Sequence, residues 1–195
     1  MQHPRAAEVS TPHWDALDSI SAVAQPDRAV AAVLVPLYMD VNESVRLIMT
    51  KRPDNMRTHP GDVVFPGGRM EPGESAVDAA IREACEEVGL PGDSIEVVGG
   101  LSPISTRDPR NVIVPVVAKV TRPDVLIPQP DEVEVILEPT VDELLDESRW
   151  HVSEWFGRNL WFFDFPEATL WGATAFMVRE LLEVFRPNQD SAEFK

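Results

Sequence analysis

Between Ser75 and Gly89 the apolar side chains Val77, Ala80, Ile81, Ala84 and Val88 recur at three- and four-residue steps, lining one stripe of a helix that Gly89 is suited to end. The same stretch carries Glu83, Glu86 and Glu87 at i, i+3 and i+4. At about 100° per residue these carboxylates share an arc of roughly 100°. Each like-charge pair costs roughly 0.2–0.5 kcal/mol on an isolated helix, and the last turn is where the macrodipole most disfavours acids. Asp78, Arg82 and Glu86 fall on successive i, i+4 steps and can pair on a solvated face, whereas Glu83 and Glu87 have no basic residue three or four positions away. A helix with this pattern either leaves its charges in water or meets them with a hard divalent cation. Carboxylate oxygens with retained water suit Mg2+ or Mn2+.

The rest of the chain bounds what such a helix can serve. With 195 residues, 44% of them hydrophobic, it is long enough for one domain with a real core. Thirty-three acidic against seventeen basic side chains give a formal charge of −16, which repels nucleic acid and anionic lipid, so neither is expected as a partner. Cys85 is the single cysteine and forms no internal disulfide, and the longest apolar run, Ala29 to Met39, is too short for a bilayer and is interrupted by Pro36. The N-terminal residues do not read as a secretion signal, and a cytoplasmic protein is expected. A homodimer is left open.

Apolar runs at 29–38 and 45–49 read as strands of a hairpin joined by Asp40-Val41-Asn42-Glu43. Further strands are expected at 63–65, 95–98, 112–120 and 133–137, with a Pro-rich stretch at 121–130. An acidic helix near 141–146, aromatic strands up to Phe165 and an amphipathic helix from Trp171 to Phe185 close the domain. The expected organisation is an arm over 1–28 with a short helix around Trp14 to Ile20, a domain over 29–186 and a flexible tail over 187–195. Mixed strands with one helix in the middle and one at the end predict an α/β protein with a sheet covered on both faces. Cys85, Trp155, Trp161 and Trp171 read mainly as core. Residues 50–62, TKRPDNMRTHPGD, form a loop holding Lys51, Arg52, Arg57 and His59, a concentration of cations that suits a ligand with several phosphates. His59 either joins that contact or braces the loop.

Gly68 to Leu90, GRMEPGESAVDAAIREACEEVGL, resembles the Nudix box at every fixed position: Gly, five residues, Glu, seven residues, Arg-Glu, an apolar residue, any residue, Glu-Glu, any residue, Gly and an apolar residue. The resemblance implies the Nudix fold, an α/β/α sandwich with a mixed sheet, and metal-dependent hydrolysis of a nucleoside diphosphate linked to another moiety. Carried over position by position, it implies that Glu83, Glu86 and Glu87 hold Mg2+ or Mn2+ together with the Gly68 carbonyl. Arg82 and Glu74 would fix these carboxylates by pairing. One carboxylate must stay free as the base, and Glu83, Glu132 and Glu134 are all eligible.

Upstream, LIMTKRPDNMRTHPGDVVFPGG is similar to the extra signature of the coenzyme A diphosphatase branch, with Thr50, Arg52, Arg57, His59, Gly61, Phe65, Pro66, Gly67 and Gly68 on matching positions. Pro53, Met56 and Asp62 depart from it. LWGATAFMVRELL, Leu170 to Leu182, also resembles that branch. The implied small-molecule substrate is coenzyme A or a derivative, cut to 3′,5′-ADP and 4′-phosphopantetheine, with Arg52, Arg57 and His59 as substrate contacts. Where the branch has Thr-x-Ser-Gly-aromatic, this chain reads Thr106 to Asn111, which adds Arg107 and Arg110 as candidate contacts. ADP-ribose or a dinucleotide is the alternative substrate, and a non-catalytic Nudix-fold ligand sensor the alternative role.

Overall fold

The longest apolar runs become the middle of a sheet, because a strand covered on both faces must be apolar on both. The computed structural model describes residues 14–105, 111–155 and 157–186. In chain order the strands and α-helices are β1 (Ala29–Met39), β2 (Val45–Leu47), β3 (Met49–Lys51), β4 (Val63–Val64), β5 (Gly67–Arg69), α1 (Ala76–Val88), β6 (Ile95–Gly100), β7 (Ile104–Ser105) and β8 (Val112–Val120). There follow β9 (Val135–Leu137), α2 (Val141–Leu145), β10 (Trp150–Trp155), β11 (Arg158–Asp164), β12 (Thr169–Trp171) and α3 (Gly172–Phe185). β1 and β8 run parallel, with Val33 opposite Pro115 and Val35 opposite Val117. Residues 34–38 and 114–118 are buried without a break.

β2, β1, β8 and β6 lie side by side, and β5 and β7 pair with β1 and β8 respectively. One face packs Ala32, Leu34, Val114 and Val116 against Ala76, Ala79, Ala80, Ala84 and Val88 of α1. The small side chains let this helix lie close to the sheet. The opposite face packs Val35, Leu37 and Val117 with Leu144 of α2 and Val178, Leu181 and Leu182 of α3. The expected α/β/α sandwich with a mixed sheet is therefore the fold.

Two local expectations change. The run at 45–49 is divided: β2 pairs with β1, while β3 leaves at Ile48 to join a separate sheet ordered β4, β3, β9. Nothing polar marks the switch, because Leu47, Ile48 and Met49 are all wholly buried. On α1 the buried stripe is Ala76, Ala79, Ala80, Ala84, Glu87 and Val88, and Val77 and Ile81 are half-buried at its margin. The stripe is rotated toward the acidic side, so a glutamate shares the core face.

The described part of the N-terminal arm is fastened to the domain. Trp14–Ser19 is a 3-10 helix whose Leu17 is wholly buried, and the Gly100 N–H donates to the Ser21 carbonyl at 2.9 Å. Gln25 Oε1 accepts the Ala76 N–H at 2.8 Å, satisfying one of the unpaired donors that begin α1. Among the described residues no helix is long and apolar enough to cross a membrane.

Candidate active site

Both ends of α1 are fixed by groups around it. Ser75 Oγ accepts the Asp78 N–H at 3.1 Å, and Asp78 turns back to Ser75 and takes no part in the expected ladder with Arg82. At the other end Gly89 adopts φ 70°, the left-handed conformation that favours glycine. The carbonyls of Val88 and Glu87 then accept the N–H groups of Ile127 and Gln129 at 3.0 and 2.8 Å. The Pro-rich stretch is thus a strap over the helix C-terminus, and the turn after it, closed by Glu132 N–H to the Gln129 carbonyl, delivers Glu132 to Glu87.

Glu87 is only 4% exposed. Its Oε2 accepts the Gly67 N–H at 3.1 Å. Burial pushes its pKa up to about 8; the Gly67 hydrogen bond opposes this, and the nearby Glu132 and Glu83 carboxylates add to it. Glu83 is also pushed up by burial, against the pull of Arg82. Its carboxylate lies so close to Gly68 that a Cβ there would sit 2.4 Å from Oε1, so a larger residue at 68 would displace it. Gly67 is equally confined, a Cβ there lying 2.4 Å from the Ala32 carbonyl oxygen. Two consecutive glycines bring backbone against the carboxylates of α1.

Arg82 is the brace of this arrangement. Its Nε and Nη2 fork onto Glu74 at 2.9 and 3.1 Å, its Nη1 reaches Glu83 at 2.9 Å and Glu86 at 3.3 Å, and Nη2 also donates to the Arg69 carbonyl. Glu83 therefore does have a basic partner, the adjacent residue, which spacing by three or four positions overlooks. Arg82 holds Glu74 below the usual carboxylate range, and Glu74 in turn accepts the Glu71 N–H at 2.8 Å. Glu86 is turned outward, its side chain 59% exposed.

Among the described residues no three His, Cys, Asp or Glu side chains form a ready-made metal cage. Arg82 draws Glu83 and Glu86 to itself, and Glu87 and Glu132 face each other as like charges. A buried carboxylate opposed by a second one is unfavourable unless a proton or a hard cation lies with them. The donor set of Glu83, Glu86 and Glu87 beside the Gly67-Gly68 backbone fits a divalent ion that takes oxygen ligands.

The cationic loop connects β3 and β4 along the same edge. The Nε of Arg52 is buried without a hydrogen-bond acceptor, an unsatisfied donor on a fixed positive charge. Lys51 is engaged by Glu134 at 2.9 Å and Asp54 at 3.4 Å, so Glu134 is tied to the loop while Glu132 meets the helix. Arg57 and His59 are exposed. His59 holds a left-handed backbone, φ 54°, and its Nδ1 meets Asp62 Oδ2 at 2.9 Å. The other oxygen of Asp62 accepts Trp171 Nε1–H at 3.0 Å, so Asp62 ties the loop to β12. In the sequence Asp62 is one of two acids in a cationic segment, and its Trp171 partner lies 109 residues further on. Trp171 is half-buried and Trp161 is 40% exposed, so neither is plain core. Arg107 and Arg110 lie outside the described residues.

The chain is similar to known proteins in sequence and in fold. Residues 27–156 match the NUDIX domain family. The Nudix hydrolase NudL of Enterobacter sp. (strain 638) is 37% identical over 161 residues, covering 80% of this chain and 82% of that protein. Nudix hydrolase 3 of Caenorhabditis elegans is 36% identical over 121 residues, covering 60% of this chain and 50% of that protein. Among solved structures, the Nudix hydrolase RenU of M. smegmatis superposes with a TM-score of 0.53 at 20% identity, over 61% of this chain and 74% of that one. A C. elegans Ap4A hydrolase complex gives 0.50 at 20% identity, over 59% and 83%. These two structural likenesses concern the fold.

Proposed function

We propose, from the premise that this chain belongs to the Nudix hydrolase family and acts on phosphoanhydride bonds of nucleoside diphosphate derivatives, that its substrate is coenzyme A or a derivative. The products are 3′,5′-ADP and (acyl-)4′-phosphopantetheine. The observation that carries the hydrolytic reading is Glu87, buried on the core side of α1 and opposed by Glu132. Nudix hydrolases generally use divalent metal ions, and Glu83, Glu86, Glu87 and the Gly68 carbonyl are the groups we assign to hold Mg2+ or Mn2+. When bound, such an ion neutralises diphosphate charge and acidifies the attacking water.

The chain's own groups supply the rest. Arg82, forked on Glu74, keeps Glu83 against Gly68. Of the three candidate bases, Glu83 is engaged by Arg82 and Glu134 by Lys51, which favours Glu132 as the group that takes the proton from water. Arg52 and Arg57 bind substrate phosphate as cations of the loop between β3 and β4, where Arg57 is exposed. His59 acts on the loop through Asp62. The likeness of residues 47–68 to the coenzyme A diphosphatase signature supports the choice of substrate.

The test is incubation of the purified protein, with Mg2+ or Mn2+, with coenzyme A, ADP-ribose and a dinucleotide, the products being separated and identified. Release of 3′,5′-ADP from coenzyme A is expected. Intact coenzyme A beside cleaved ADP-ribose or dinucleotide would overturn the substrate, and no cleavage of any nucleotide with metal present would make the protein a ligand sensor.

A further inference from the structure

The hairpin of β10 and β11 outruns the rest of its sheet. β12 pairs with β11 only from Phe162 to Asp164, so residues 152–155 and 158–161 form a two-stranded ribbon. His151, Val152, Ser153 and Glu154 are all exposed, Val152 to 47% and its cross-strand neighbour Trp161 to 40%. Such a ribbon is marginal in water by itself, and this one also shows Val152 and Trp161 side by side. β10 is an edge as well: among the described residues no strand lies on its other side. Its register on β11 is unbroken from Trp150 opposite Phe163 to Trp155 opposite Arg158, and it has no bulge, lysine or proline of the kind that blunts a free edge.

The pairing on β11 fixes which backbone groups face that edge. Only two residues separate Trp155 from Arg158, and Gly157 has φ 72°, so this pair closes a two-residue hairpin and exchanges both backbone hydrogen bonds. Such exchanges alternate along an antiparallel pair, which gives His151 and Ser153 to β11 and turns the N–H and C=O of Val152 and Glu154 outward. Trp150 follows the same alternation, its N–H donating to the Glu147 carbonyl in the turn before the strand.

We propose that β10 pairs antiparallel with β10 of a second copy of this chain, with Val152 on the twofold axis. Val152 then exchanges two hydrogen bonds with its counterpart, and the Glu154 N–H of each copy donates to the Trp150 carbonyl of the other. Val152 and Trp161 of both copies form one apolar row across a continuous sheet. On the same face each Glu154 comes opposite Trp150 of the other copy, where the Arg179 guanidinium lies over Trp150 and Trp161, 5.2 and 4.3 Å from their ring centroids. Charge selects this register. With Glu154 on the axis two carboxylates would stand directly opposite, and with Ser153 there each Val152 would face a Glu154. The turn at Glu147, which takes the Trp150 N–H, ends the ladder.

Sedimentation equilibrium of the full chain over a concentration series reads the association, and thermal unfolding monitors the fold of each variant. The parent should form a dimer. Val152→Lys, which sets two ammonium groups at the axis, should weaken it about 100-fold or more. Glu154→Ala, a milder change at an exposed position, removes the approach to Arg179 twice, leaves the backbone pairing in place and should weaken the dimer about fivefold. Val152→Cys reads the register: the Cα atoms of an exchanged pair lie about 5.5 Å apart, within the range a disulfide spans. Mild oxidation should therefore join two chains of this variant, and should leave the parent, whose free cysteine is the half-buried Cys85, unlinked. A monomer at every concentration, a dimer indifferent to Val152→Lys or to Glu154→Ala, or a dimer that Val152→Cys does not link would overturn the proposal.

Discussion

Glu87 and Glu138 are both drawn largely out of solvent, and their surroundings treat them in opposite ways. Tyr38 Oη donates to Glu138 at 2.6 Å, Arg122 forks onto it at 2.5 and 2.8 Å, and Arg46 holds its carbonyl at 2.7 Å. Burial alone would raise the Glu138 pKa, but the hydrogen bonds from Arg122 and Tyr38 keep it below the ordinary value. Glu87 has one backbone N–H and two acidic neighbours, and is pushed up to about 8 by burial first and by those neighbours next. A carboxylate surrounded by cations fastens strands together. One buried against other carboxylates adds nothing to the fold by itself and is explained by what it binds.

The comparison is broken most directly by exchanging each for its amide. Glu87→Gln should lower kcat by about 100-fold or more in steady-state assays while the protein stays folded. Glu138→Gln should instead cost about 1–3 kcal/mol in denaturant unfolding, because Arg122 and Arg46 lose the charge they enclose, with kcat within about threefold of the parent. Comparable catalytic losses in both variants would erase the distinction. Arg52→Ala sharpens it from the substrate side. If Arg52 binds phosphate as proposed, its removal should raise KM about tenfold for a substrate with several phosphates and less for a smaller one, and equal changes across substrates would reduce the loop to structure.

Much of α1 was legible from the order of its residues, since a helical period, a glycine stop and crowded glutamates are all local. The rotation of its buried stripe to include Glu87 was not, because burial of a glutamate depends on Gly67 and Glu132 arriving from elsewhere. Glu132 stood in the sequence as one eligible base among three. Its approach to Glu87 comes from the strap at 121–130, whose prolines signal a connection and say nothing of the carbonyls it caps. The division of the run at 45–49 was illegible for the opposite reason: each residue at the switch is apolar and buried on either side of it. Asp62 departs from the signature it sits in, and its two partners, His59 and Trp171, show why an acceptor with two oxygens serves there.

The central claim, that the Glu87 side of α1 is a divalent-cation site, is tested most directly by thermal unfolding of the parent and Glu87→Gln between pH 5 and 8, with chelator and with Mn2+. In the unfolded chain Glu87 gives up its proton near 4.5, whereas in the fold it keeps it to about pH 8. Across that interval the folded state binds the extra proton, so rising pH favours unfolding, and the full penalty is reached above the folded value. Without metal, the parent should therefore lose stability relative to Glu87→Gln as pH rises. At pH 8 Mn2+ should restore the parent, by about 2.7 kcal/mol when present at a hundred times its Kd, and act more weakly on the variant. Parallel pH curves for the two proteins, or a parent Tm that Mn2+ leaves in place, would contradict the account.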